Sequence, residues 1–120
     1  MSAGRPEIWE GGARLADAAP IFAALGDEMR LRLVARLCAD GPQSISRLTA
    51  GTRVTRQAVS KHLQVLADAG LARSSRLGRE SIWELEPQKL DEVRQCLDYI
   101  SAQWDEALGR LKAFVEGPRG

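Results

Sequence analysis

The sequence is poor in the residues from which most catalytic and metal centres are built. It has one histidine, His62, and two cysteines, Cys38 and Cys96. Two thiols are too few to staple a small secreted scaffold. A tetrahedral thiolate or imidazole site needs four ligands, so none can be assembled from these within one chain. There is no phosphate-binding loop and no glycine-rich dinucleotide fingerprint. With His62 as the only imidazole, no acid, base and nucleophile constellation suggests itself, and the expectation is a protein that is not an enzyme and carries no cofactor. No apolar run approaches the ~20 residues that cross a bilayer. The opening residues MSAGRPEIWEGG lack the apolar stretch of a secretory signal, so the expectation is a cytoplasmic protein with no membrane partner.

What is present is a core and a cluster of charge. Hydrophobic residues make up 44% of 120 residues, enough for one compact domain and too many for wholesale disorder. The net charge of +1 conceals an asymmetry. Residues 44–84 hold seven basic groups (Arg47, Arg53, Arg56, Lys61, Arg73, Arg76, Arg79) against three acidic ones (Asp68, Glu80, Glu84). Both flanking segments are slightly acidic. A local basic excess of this kind is what a phosphate-binding surface requires.

The same segment carries the clearest structural pattern. Asp17 and Gly26 bracket a first helix, about 17–25, with Pro20 in its first turn. Asp27 caps a second, about 28–39, with a stripe of Leu31, Val34, Leu37 and Cys38; Arg30, Arg32 and Arg36 lie outside it. Gly41-Pro42 ends that helix. Ser44 caps a short third helix with Ile45 and Leu48 turned inward, and Gly51 closes it. Thr55 caps a fourth, about 56–69, whose Val59, Leu63 and Leu66 share one sector at ~100° per residue. Gln57, Ser60, Lys61 and Gln64 fall on the opposite side. That face offers donors, acceptors and a cation, and no carboxylate until Asp68 at the far end. Glutamine can pair with adenine and lysine with guanine in the major groove. Gly70 suits the residue after a helix end. LARSSRL-GRE-SIWELE then reads as two strands about a turn at Gly78, with Ile82 and Leu85 packing inward and Arg73, Arg76 and Arg79 along the hairpin. Two short helices, the second polar on its outer face, followed by an arginine-bearing hairpin describe a winged helix-turn-helix. The fold class expected is mainly α with a small β-hairpin, and the partner expected is double-stranded DNA.

The last segment has its own signature. Leu90, Val93, Leu97, Ile100, Trp104, Ala107, Leu111 and Phe114 recur at alternating spacings of three and four, an unbroken heptad seam. A helix over 88–116 would be ~43 Å long at ~1.5 Å per residue. A domain this small cannot cover such a stripe alone. It is expected to pack partly on the first helix and partly on the same helix of a second copy, giving a homodimer. The division that follows is one domain, 1–120, with an arm at 1–12 containing Ile8 and Trp9, a winged helix-turn-helix at 13–86 and a dimerisation helix at 87–116.

AALGDEMRLRLVARL, SISRL, VTRQAVSKHLQVLADAGL and RSSRLGRESIWEL together resemble the ArsR/SmtB family of dimeric winged-helix repressors, in order, over about residues 15–86. The resemblance implies a homodimer on an inverted-repeat operator. The candidate DNA-binding residues are Arg53, Thr55, Arg56, Gln57, Ser60, Lys61, His62, Gln64, Arg76 and Arg79. His62 matches a family histidine on the flank of the reading face, placed either to touch a phosphate or simply to pack. The candidate dimerisation residues are Leu90, Val93, Leu97, Ile100, Trp104, Leu111 and Phe114. The departures are as informative. Ser44 and Ser46 stand where metal-sensing members carry a cysteine pair, and the last helix has no histidine, so no metal site is expected. Redox-sensing members pair a cysteine on the second helix with one on the last; Cys38 and Cys96 lie on those helices at places that match that pattern poorly. The chain is most similar to members without metal ligands. No motif names an inducer. The alternatives are a winged helix used only for protein interaction, or a thiol sensor based on Cys38 and Cys96.

Overall fold

The computed structural model describes residues 15–117; the arm assigned to 1–12 lies outside them. Five helices and three short strands follow in the order α1 (Leu15–Leu25), α2 (Glu28–Asp40), β1 (Gln43–Ser44), α3 (Ile45–Thr49), α4 (Arg56–Asp68), β2 (Ala72–Leu77), β3 (Glu80–Leu85) and α5 (Pro87–Glu116). The strands form one antiparallel sheet in the order β1-β3-β2.

Local chemistry accounts for most of the boundaries. The Asp27 carboxylate accepts the Arg30 backbone N–H at 3.1 Å, the Ser44 hydroxyl accepts that of Arg47 at 3.2 Å, and the Thr55 hydroxyl accepts that of Ala58 at 3.1 Å. Each satisfies an amide that has no partner inside its own helix. At the other end of α4 the Leu71 N–H reaches the Leu66 carbonyl and the Gly70 N–H reaches that of Ala67, with Gly70 at φ +83°. That double closure turns the chain sharply from helix to strand.

A single apolar cluster joins α1 through β3. Ile21, Leu33, Leu48, Val59, Leu63, Leu66 and Leu71 are its largest fully buried side chains. Val59, Leu63 and Leu66 of α4 lie in it as their spacing predicts, and so do Ile45 and Leu48 of α3.

Four local expectations are corrected. α1 contains Asp17 in its first turn and Pro20 in its interior, so Asp17 is no cap. Proline there removes the bond to the Ala16 carbonyl, and both residues are exposed. In α2 the buried positions are Leu33 and Leu37, with Met29 and Val34 packed beside them, whereas Leu31 and Cys38 are exposed. Both phases are helical; contact with α4 and β3 selects this one. On β3 the buried side chain is Trp83 rather than Ile82, with Leu85 on the same side. Adjacent apolar residues on a strand face opposite ways, so a one-residue shift exchanges them. A third strand that the sequence pattern does not announce, β1, pairs Gln43 with Trp83 and Ser44 with Ile82.

α5 leaves this body. Its first turns are anchored by Leu90 and Val93 against the main core and by Cys96 and Tyr99 against Ala18 and Phe22 of α1. At ~1.5 Å per residue its 30 residues reach ~45 Å, which explains a molecule 72 Å long and 20 Å thin.

Candidate nucleic-acid interface

The polar face of α4 is presented to solvent. Gln57, Ser60, Lys61 and Gln64 are all exposed, on the side away from Val59, Leu63 and Leu66. Gln64 donates to the Asp68 carboxylate at 2.9 Å, so the one acid of the helix is engaged along its own end. Arg56 begins the helix and donates to the Ser46 hydroxyl at 3.1 Å, tying α3 to α4 across their turn. The Thr55 hydroxyl is occupied as the cap, which leaves Arg53 as the exposed cation just before the helix.

The hairpin places two further cations at its tip. β2 and β3 pair from Ala72 with Leu85 out to Leu77 with Glu80, so Gly78 and Arg79 form a two-residue turn. Gly78 has φ +64°, and among the described residues only glycines have a positive φ, which matches the turn with glycine at its first central position. Arg79 therefore sits at the apex, and Arg76 is the second-last residue of β2, three positions before it. Both are exposed, and so is Leu77 between them.

Not every arginine of the basic segment is available. Arg73 donates to Glu84 at 2.9 Å and to Glu86 at 3.1 Å across the hairpin. The bond to Glu84, then the charges of both carboxylates, holds its guanidinium protonated above the ordinary arginine range. Among the described residues Arg53, Lys61, Arg76 and Arg79 make no ion pair. Their charge is thus uncompensated on the protein and open to phosphate.

His62 lies apart from the groove face. Its side chain is one-quarter exposed, at 25%, and its Nδ1 stands 3.2 Å from Nη1 of Arg30 on α2. The sequence showed no sign of this contact, because 32 residues separate the partners.

The residues assigned to dimerisation divide in two. Leu90 and Val93 are half-buried against the chain's own core. Leu97, Ile100, Trp104, Leu111 and Phe114 are 48–83% exposed and run along the projecting part of α5. Leu108 and Val115, outside the heptad seam, are exposed there too. A continuous apolar stripe of this size on one helix marks an interaction surface.

The two thiols lie in different surroundings. Cys96 is buried against Ala18, and burial pushes its thiol above the ordinary cysteine range. Cys38 is exposed and borders a shallow hollow with Leu37, Pro42, Leu85 and Leu90. Among the described residues no three or more His, Cys, Asp or Glu side chains are grouped so as to hold a metal ion. None of the described helices is long and apolar enough to cross a membrane.

The chain is similar to known transcriptional regulators. The profile of a helix-turn-helix domain matches residues 25–75. The chain is 38% identical over 93 residues to the HTH-type transcriptional regulator Rv2034 of Mycobacterium tuberculosis, covering 78% of this chain and 83% of that protein. It is 33% identical over 70 residues to the arsenical resistance operon repressor of Bacillus subtilis, covering 58% of this chain and 67% of that one. Among solved structures, an ArsR-like transcriptional regulator from Rhodococcus sp. RHA1 superposes with a TM-score of 0.67 at 36% identity, over 82% of this chain and 92% of the other.

Proposed function

The chain belongs to the ArsR family of winged helix-turn-helix transcriptional regulators, and we propose that it is a repressor that binds an inverted-repeat operator as a homodimer. Residues 13–86 form the part that reads DNA, and the helix over 87–116 joins the two copies. It acts in the cytoplasm, where the chromosome lies, and performs no catalysis.

The observation that carries the reading is the outer face of α4. Gln57, Ser60, Lys61 and Gln64 are exposed together, without an opposing carboxylate except Asp68 at the helix end, and the hairpin that follows carries Arg76 and Arg79, which make no ion pair among the described residues. Glutamine and lysine supply base-edge contacts in the major groove. Arginine at the wing supplies phosphate or minor-groove contacts. Arg53 and Arg56 flank the start of the helix, where a backbone phosphate would pass. A module used only for protein docking would have no need of this unpaired basic surface. The exposed α5 stripe supports the dimer, and two-fold symmetry would set the two reading helices on successive turns of the duplex. The repressor name of the Bacillus relative supports the sign of regulation.

Selection of bound sites from a random duplex pool tests the reading. The expected product is an inverted repeat with half-site centres about one helical turn, ~34–36 Å, apart. A pool that shows no enriched sequence after several rounds would refute it.

A further inference from the structure

Three helices meet at one guanidinium. Arg30, in the first turn of α2, donates through Nε to the carbonyl of Ala24 at the end of α1, and its Nη1 meets Nδ1 of His62 in the middle of α4 at 3.2 Å. A guanidinium has donors only, so Nδ1 must accept. The imidazole is therefore neutral, with its proton on Nε2. Asp27 stands close to both: its Oδ2 is 3.8 Å from the same Nδ1 while it accepts the Arg30 backbone N–H at 3.1 Å. Among the described residues, the charged groups facing His62 are these two from α2. α1 brings to the cluster the uncharged Ala24 carbonyl, and on α4 itself the adjacent Lys61 is exposed.

The arrangement has a second state. A proton on Nδ1 ends its capacity to accept from Arg30 and sets two cations side by side. The new N–H then has Asp27 as its acceptor. We propose that Arg30 is a positioning residue for the reading helix, acting through neutral His62, and that protonation of His62 transfers it from Arg30 to Asp27 and loosens the seating of α4. The proposal rests on the reading of α4 as the helix that enters the groove. Imidazole is the side chain whose charge ordinarily changes between about pH 5 and 8, which is why histidine is the group to vary in the test.

Charge alone would act the other way. A histidine cation beside the DNA face strengthens binding to any duplex. The informative quantity is therefore the ratio of affinity for the selected operator to affinity for random duplex. Between about pH 8 and about pH 6 this ratio should fall roughly five- to tenfold in the parent, the lower range of coupling between two sites. In His62→Asn the amide oxygen can take the place of Nδ1 as acceptor and does not titrate, so the pH dependence of the ratio should vanish. In Arg30→Met, which keeps the apolar stem and loses the donors, the ratio should be low at both pH values. A parent ratio independent of pH, or a fall that persists in His62→Asn, overturns the latch.

A second measurement needs no DNA. His62 is the chain's only histidine, so the imidazole nitrogen resonances in an NMR spectrum belong to it. In the free protein at about pH 8 they should report the Nε2–H tautomer; the Nδ1–H tautomer overturns the latch. If the parent shows no operator preference at about pH 8, the functional reading fails instead, and the tautomer still decides the Arg30–His62 contact.

Discussion

Gly70 and Lys89 meet where α4 gives way to the hairpin: a side-chain carbon at Gly70 would lie 3.0 Å from Cε of Lys89 on α5. Gly70 also holds φ at +83°, which an L side chain adopts only at a cost. The lysine stem is flexible and can move aside, so the backbone cost dominates. Gly70→Ala should destabilise the fold by about 1–2 kcal/mol, the penalty of placing one L-residue in the left-handed region. Urea unfolding measures it. An unchanged midpoint would mean that the helix end relaxes to another closure.

A pH-dependent stability effect is expected at Asp27. The Arg30 backbone N–H held by its carboxylate, aided by the charge of Arg30, keeps Asp27 below the ordinary carboxylate range. Folding therefore favours the ionised form. Its contribution is complete above the unfolded carboxylate value, about pH 4, and is lost as pH falls through the folded one. The stability gap between the parent and Asp27→Ala should be widest above about pH 5 and should narrow toward about pH 3. Urea titrations at stepped pH give the gap directly. A constant gap would show that the cap acts without its charge.

The proposed reading head predicts separate effects for base and backbone contacts. Gln57→Ala or Lys61→Ala should weaken binding to the selected operator by ~1–3 kcal/mol each, the value of a lost bidentate base contact, and affect random duplex less. Arg79→Ala at the hairpin apex should weaken all sequences similarly and reduce the salt slope by about one unit. Affinities across a salt series distinguish the two. Three variants that bind like the parent at every salt concentration would remove α4 and the hairpin from the interface. Sequence selectivity lost with Arg79 would mean that the hairpin reads minor-groove shape.

Local signals in the sequence were read more securely than tertiary ones. Asp27, Ser44 and Thr55 are caps because each precedes a helical run and carries a short oxygen-bearing side chain, a rule that works within four residues. The phase of α2 depended on its neighbours: Leu31 and Leu33 are both leucines on a helix, and only packing against α4 and β3 buries the second. Ile82 and Trp83 posed the same problem at a period of two. β1 has two residues, too few for any alternation to register. The pairing of Arg73 with Glu84 depends on strand register, and the Arg30–His62 contact on how α2 crosses α4.

The α5 stripe supplies the decisive test of assembly. Ile100 and Trp104 lie near its middle and are 48% and 63% exposed in the single chain. Replacing both with glutamate therefore leaves the chain's own core intact. Leu90 and Val93 are different, since they pack on that core and charge there would unfold it. If the stripe joins two copies, the double variant puts unpaired charge into an apolar contact, at a cost of several kcal/mol. Sedimentation should then find a monomer with the parent's helical content. Operator affinity should fall much further than random-duplex affinity, because each monomer loses the linked second half-site contact. The outward face of α4 is untouched by the change, so the residual binding should keep its preference for a single half-site. A double variant that stays dimeric would move the interface off the stripe, toward the exposed Leu15 and half-buried Phe22 of α1.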